Sequence, residues 1–288
     1  MTFPATNLHP GAHWFLWASD VSGDDIDVVA AGAAAAGLEF VEVPLLDPTF
    51  IDTARVRETL ARHGITATCS LGLPSHAHAP DEPTLAIEFL HGAIDTAAAL
   101  GSHWLTGSLY GHLGRVTGRA PTDGELETIA RVLREAADHA AEVELRLGVE
   151  IINRYETHLV NTAAAAANLL AAIDRPGRVF AHLDTFHMNI EEGDVGAAVR
   201  HLGEQLGYVH LAESTRDVLG SGMFPFDELL DALDAIGFDG PAVIEAFLHG
   251  PDDLLTTTAS WRRPRVGAGE FVERSLAALA TAARHETP

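Results

Sequence analysis

The chain has 288 residues, 47% of them hydrophobic, with 41 acidic against 18 basic side chains and a formal charge of −23. That acidic excess argues against nucleic acid and disfavours anionic membrane surfaces as partners, because both carry charge of the same sign. Every fixed cation is arginine; with no lysine anywhere, Schiff-base aldolase and pyridoxal phosphate chemistry are excluded, since both need a lysine amine.

No apolar run approaches the roughly 20 residues that span a bilayer. Residues 1–5, Met-Thr-Phe-Pro-Ala, lack the charged and apolar regions of a signal peptide. Cys69 is the single cysteine. It forms no intrachain disulfide, reads as a small buried strand residue, and fits a reducing cytoplasm.

Strand-like and helical runs alternate along the chain. Residues 13–17, His-Trp-Phe-Leu-Trp, read as the first strand, followed by an alanine-rich helix over 24–36 that Gly37 stops. Residues 39–43 read as the second strand, closed by Pro44, and a helix over 52–62 ends at His63-Gly64. The third strand covers 65–71, with Gly72 and Pro74 opening a loop; a long helix over 82–100 leads to the fourth strand at 104–107. The loop at 108–122 is polar, Gly-rich and longer than most connections, as binding loops often are. A helix running to about 144 precedes the fifth strand, where Val149, Ile151 and Ile152 surround Glu150. Helices over 161–173 and 195–206 precede the sixth strand, 179–184, and the seventh, 206–210. Pro225 starts the next helix and Gly237 stops it; the eighth strand ends in Glu245. A second long loop, 248–267, and a terminal helix over 269–284 complete the chain.

Alternation of this kind implies parallel strands. Eight units at this length favour one (β/α)₈ TIM-barrel catalytic domain spanning 1–288 over an open doubly wound sheet. No G-x-G-x-x-G follows the first strand, which weakens the dinucleotide-binding alternative. In such barrels the active site lies at the carboxyl ends of the strands. Glu150, Asp184, His210 and Glu245 stand at or near the ends of strands five to eight. A carboxylate within a buried strand is costly unless paired or metal-bound. Taken singly, each of the four reads as readily as a helix cap or a surface charge. Together, these oxygen and imidazole donors suit Mn²⁺, Co²⁺, Mg²⁺ or Zn²⁺ rather than a thiophilic ion.

Residues just beyond them would rim the same mouth: Glu156 and His158 after Glu150, His187 three residues after Asp184, and Arg216 six after His210. Each is expected to hydrogen-bond substrate oxygens. The plainer reading has His187 and Glu156 orienting ligands, and Arg216 paired with Asp217 or Glu213. Trp17, Tyr110 and Phe247 lie near other strand ends and read either as an apolar wall for a sugar's carbon face or as core. Glu191-Glu192 reads as a helix cap. Gly220-Ser-Gly222 with Arg216 is the one faint phosphate cradle.

At Glu150-Ile-Ile-Asn-Arg-Tyr-Glu-Thr, Leu183-Asp-Thr-Phe-His-Met-Asn-Ile-Glu-Glu, His210-Leu-Ala-Glu-Ser-Thr-Arg and Gly237-Phe-Asp-Gly-Pro-Ala-Val-Ile-Glu-Ala-Phe, the sequence resembles the ketose 3-epimerases. These are the D-tagatose, D-psicose (D-allulose) and L-ribulose 3-epimerases, within the xylose-isomerase-like TIM barrels. Weaker echoes are Val41-Glu-Val-Pro, Ser70-Leu-Gly-Leu and Trp261-Arg. The resemblance covers essentially the whole chain. It implies that Glu150, Asp184, His210 and Glu245 ligate one divalent ion, Mn²⁺ or Co²⁺ with Mg²⁺ as an alternative. It makes Glu150 and Glu245 the catalytic acid and base of a carbon-3 epimerisation through a cis-enediolate. It places Glu156, His187 and Arg216 at the O1 to O3 end of a small-molecule ketose, and it implies a homodimer or homotetramer. Three departures, the alanine-rich helix from about Asn161, Phe224 in the loop after Arg216 and Arg262-Arg263-Pro-Arg265 after Trp261, leave the sugar preference open. Other readings of the same scaffold are an aldose–ketose isomerase, an epimerase of a modified sugar, and a non-catalytic sugar- or metal-binding protein.

Overall fold

The computed structural model describes residues 7–284. Residues 1–5, on which the signal-peptide reading rests, lie outside them. Eight parallel strands pair in chain order and close into a barrel: β1 (Asn7–His13), β2 (Phe40–Pro44), β3 (Thr66–Gly72), β4 (Trp104–Ser108), β5 (Arg146–Ile151), β6 (Val179–Asp184), β7 (Leu206–Leu211) and β8 (Asp239–Ile244). Strand β1 pairs with both β2 and β8, so no edge is left open. Around the strands run α1 (Ile26–Ala35), α2 (Thr53–Arg62), α3 (Pro83–Ala99), α4 (Asp123–Glu142), α5 (Ala163–Ile173), α6 (Thr185–Glu191), α7 (Val195–Leu202), α8 (Phe226–Ala235), α9 (Asp252–Thr257) and α10 (Ala268–Ala282).

Each strand is buried on both faces, as a parallel sheet covered by helices requires. Outward residues such as Val41, Val43, Cys69, Val149 and Val209 join the large core between barrel and helices. Cys69 is fully buried, and burial pushes its thiol well above the usual range. Inward, Phe180, Tyr208 and Val243 pack together, with Trp104 against them. The inner space is filled by pairing large with small. A Cβ on Gly148 would stand 2.6 Å from Phe180 Cε2 and 2.7 Å from Thr106 Cγ2, so the Phe180 ring fits only because Gly148 has no side chain.

Several helix starts follow from local chemistry. Thr122 and Glu125 form a capping box on α4, and Asp52, Thr162 and Asp194 accept hydrogen bonds from the first turns of α2, α5 and α7. Glu192 Oε1 accepts from Ala163 N at the start of α5, so this residue does serve a helix start.

The first strand is a correction. It runs over Asn7–His13, and Trp14–Leu16, expected to be extended, form a 3₁₀ turn. Pro10 and Gly11, residues that usually interrupt strands, lie within the strand. In the barrel, however, a Cβ on Gly11 would lie 2.8 Å from Phe40 Cβ and 2.9 Å from Val243 Cγ2, so glycine is the residue that lets three strands approach there. Trp14, Phe15 and Leu16 are fully buried, and such an apolar run carries no period to separate turn from strand. Asp184 N-caps the unexpected α6 directly after β6. The helix expected over 195–206 ends at Leu202 and gives way to a 3₁₀ turn, Gly203–Gln205. The loop at 248–267 contains the short α9.

Gly148→Ala should cost roughly 1–3 kcal/mol by overpacking. A fall in the urea unfolding midpoint with unchanged slope is the expected result, and an unchanged midpoint would show that the Phe180 ring can move aside.

Candidate metal centre

The register of the last four strands brings the four predicted donors to one end of the barrel. Glu150 stands opposite His182 across β5 and β6, Asp184 opposite His210 across β6 and β7, and His210 opposite Val243 across β7 and β8. Glu245 follows β8 directly, and its N–H donates to Leu211 O at 3.0 Å. One ligand atom from each of Glu150, Asp184, His210 and Glu245 falls within 4.8 Å of the others. Donors about 2.1 Å from a common cation lie up to roughly 4.2 Å apart, so little movement would complete a coordination sphere. His210 Nδ1 is 3.5 Å from Glu150 Oε1 and 3.4 Å from Glu245 Oε1.

The electrostatics support a cation here. Burial raises the Glu150 carboxyl above its usual range, and burial together with Glu245 raises Asp184 well above its own. Burial would also raise Glu245, but Arg216 and His210 outweigh it and hold that carboxyl low. Burial would depress His210, but the carboxylates around it, Glu42 foremost, push it well up. Buried Asp184 Oδ2 and His210 Nδ1 have no hydrogen-bond partner. Two orphaned donor atoms facing one point, among three carboxylates and one guanidinium, fit a divalent ion.

Arg216 reaches this cluster through an unusual loop. Its backbone lies at φ 57°, its Nη1 donates to Glu245 Oε2, and its guanidinium sits 4.0 Å over the Phe186 ring and 5.1 Å from the Phe247 ring. The expected partners, Asp217 and Glu213, do not hold it. Glu213 is instead fully buried and accepts from the backbone N–H groups of Ser214, Gly220, Met223 and Phe224. That carboxylate shapes the loop presenting Arg216. It also takes up Gly220 N of the faint phosphate cradle, while Ser221 N donates to Val218 O at 3.1 Å.

His187 and Glu156 are tied together by Asn153, which the sequence reading passed over. Asn153 Nδ2 donates to Glu156 Oε1 at 2.8 Å and lies 2.8 Å from His187 Nδ1. With Nδ1 accepting, His187 carries its proton on Nε2, 3.4 Å from Asp184 Oδ2. Burial lowers the His187 imidazole well below its usual range and raises the Glu156 carboxyl. The loop after β4 braces this segment, since Gly114 N donates to Glu156 O at 2.7 Å.

A cleft of about 570 Å³, counting space open to solvent, lies at this end of the barrel. Glu150, Glu156, His187, His210, Arg216, Glu245 and Phe247 all face it. Phe15, Leu46, Leu113 and Leu254 line it as well and were not foreseen. Trp17, Tyr110 and His158 do not line it. The Trp17 indole packs on α1, where a Cβ on Gly32 would meet it at 2.3 Å. Tyr110 is fully buried and donates to Glu150 O at 2.9 Å, bracing the end of β5 from behind. His158 turns toward Arg115 O and Glu125. Aromatic and imidazole side chains near strand ends carry no sequence signal for the direction in which they point.

Comparison with known proteins places this geometry in context. The sequence pattern of the xylose isomerase-like TIM barrel family matches residues 30–265. An L-ribulose 3-epimerase of Methylomonas sp. (strain DH-1) is 37% identical over 268 residues, covering 91% of this chain and 93% of that protein. A ketose 3-epimerase of Arthrobacter globiformis is 34% identical over 288 residues, covering 96% and 99%. The crystal structure of a D-allulose 3-epimerase from Methylomonas sp. in complex with D-allulose superimposes with a TM-score of 0.91 at 33% identity, over 98% of this chain and 99% of that one.

Chelator-treated protein should be stabilised by Mn²⁺, by about 2.7 kcal/mol at a hundredfold excess over Kd, read as a rise in Tm. Asp184→Asn keeps the Oδ1 cap on Phe186 N (2.7 Å) but removes the charge facing the cluster, and its Tm should not respond. A response equal to wild type would remove Asp184 from the ligand set.

Proposed function

Because the chain belongs to the xylose isomerase-like TIM barrel family, in its ketose 3-epimerase branch, we propose that it epimerises free ketoses at carbon 3, with Glu150 and Glu245 as the acid–base pair. The observation that carries the assignment is the placement of those two carboxylates. Both face the cleft, and their Oε1 atoms flank His210 Nδ1. The ion that Glu150, Asp184, His210 and Glu245 would hold, Mn²⁺ or Co²⁺ with Mg²⁺ as an alternative, would polarise the ketose carbonyl and its neighbouring hydroxyl when bound.

One glutamate takes the carbon-3 proton, and the bonding pair becomes the C2–C3 double bond as charge moves to O2. The other glutamate delivers a proton to the opposite face of carbon 3, and the carbonyl re-forms. The step leaves the proton on the partner carboxylate, and the reverse reaction or exchange with solvent resets the pair. Arg216, His187 and Glu156 hold the O1 to O3 end: two donors that meet developing negative charge and one acceptor for a hydroxyl. Phe247, with the unforeseen Phe15, offers the apolar surface for the sugar's carbon face.

A free sugar suits the cleft better than a phosphorylated one. Arg216 is the one arginine among its lining residues, so no second guanidinium is at hand for a phosphate. A homodimer or homotetramer is carried over from the family resemblance alone. A reducing cytoplasmic setting is supported by the lone reduced thiol. No helix of the described residues is long and apolar enough to cross a membrane.

In D₂O, wild-type protein with Mn²⁺ should wash deuterium into carbon 3 of a ketose. Glu150→Gln should slow that exchange by roughly 10²- to 10⁴-fold, and wild-type exchange with metal bound would refute the assignment. Incubation with D-fructose or D-tagatose should give the carbon-3 epimer; an aldose product would make the protein an isomerase between carbons 1 and 2.

A further inference from the structure

The barrel interior holds one carboxylate that neither the ligand set nor the acid–base pair uses. Glu42, in the middle of β2, is fully buried and does not line the cleft. Its Oε2 accepts hydrogen bonds from His210 Nε2 at 2.8 Å and from Tyr208 OH at 2.5 Å. The Tyr208 oxygen lies 2.8 Å from Thr68 Oγ1, and His13 Nε2 lies 3.6 Å from Glu42 Oε1. Strand register sets this group, since Glu42 stands opposite His13 on one side and Thr68 on the other.

The proton count runs one way along the chain of contacts. Tyr208 has a single hydroxyl proton and gives it to the carboxylate, so Thr68 must donate to Tyr208. A carboxylate has no proton to give, so at the other end the proton lies on His210 Nε2. A neutral imidazole protonated at Nε2 leaves its Nδ1 lone pair free. Nδ1 is the nitrogen that faces Glu150 and Glu245 and has no hydrogen-bond partner.

We propose that Glu42 is a positioning residue for the metal centre: it holds the Nε2 proton of His210, and thereby fixes both the tautomer and the ring orientation that present Nδ1 to a divalent ion. Tyr208 and Thr68 hold the carboxylate in turn. A carboxylate behind a ligating imidazole also makes it a stronger donor. The inference rests on the metal reading of the site and names a determinant of its affinity on the opposite side of the barrel from three of the four ligands.

The test titrates Mn²⁺ into chelator-stripped protein by calorimetry, which reads binding without turnover. Glu42→Gln keeps the shape and an acceptor oxygen but removes the charge, and its amide can instead donate to Nε2 and release the wrong tautomer. It should bind Mn²⁺ 10- to 100-fold more weakly, with the metal-free Tm close to wild type. Tyr208→Phe leaves the charge but frees the carboxylate to turn, and should weaken binding by a smaller factor. It serves in place of Glu42→Gln should that variant not fold. In ¹⁵N spectra of histidine-labelled metal-free protein at alkaline pH, His210 should be protonated at Nε2, and Glu42→Gln should shift it toward Nδ1. Wild-type Mn²⁺ affinity in folded Glu42→Gln, or in Tyr208→Phe where that variant stands alone, overturns the assignment, as does a wild-type His210 protonated at Nδ1. If wild-type protein itself takes up no Mn²⁺, the metal reading falls first, and the two failures are told apart by that control.

Discussion

Three carboxylates within a few ångströms of one another, all buried, repel each other and have lost the water that would screen them. Glu150, Asp184 and Glu245 are in this position, with Arg216 as the fixed cation among them. Left to themselves such groups would separate or take up protons. The closed sheet prevents separation, because ladder register fixes Glu150 opposite His182 and Asp184 opposite His210, and Glu245 N is tied to Leu211 O. The barrel is therefore a frame that keeps mutually repelling groups aimed at one point, and a metal ion held there would make the arrangement favourable.

Much of the remaining polar structure keeps those side chains still. Glu213 gathers four backbone N–H groups so that one loop presents Arg216 at a positive φ. Asn153 ties Glu156 to His187. Tyr110 braces the end of β5 from behind. Each support is buried and hydrogen-bonded, which is how a site keeps its geometry without relying on mobile surface contacts.

The alternation of strands and helices was legible because apolar runs and helix caps repeat at the right spacing. The cluster of Glu150, Asp184, His210 and Glu245 was legible because ionisable residues recur at or near the ends of four consecutive apolar strands, although each alone reads as readily as a cap or a surface charge. Glu42 was not: Phe-Val-Glu-Val-Pro alternates like any strand, and in a barrel buried on both faces the sequence does not say which face is inward. Trp14–Leu16 was misread for a related reason, as an apolar run with no polar residue to mark its period. Trp17 and Tyr110 lie near strand ends, as the sequence suggested, but away from the cleft, because the direction of an aromatic ring is set by packing partners distant in the chain. Asn153 and Glu213 act through backbone and side-chain contacts that local pattern does not encode.

The position of Cys69 has a practical corollary. The sole thiol is sealed between barrel and helices, and the 288 residues include no lysine side chain. Reagents that label thiols or side-chain amines thus meet no accessible native target on the folded barrel. A single cysteine engineered at the amino ends of the strands would become a unique attachment point, anchoring the protein to a support with its open mouth facing the solution.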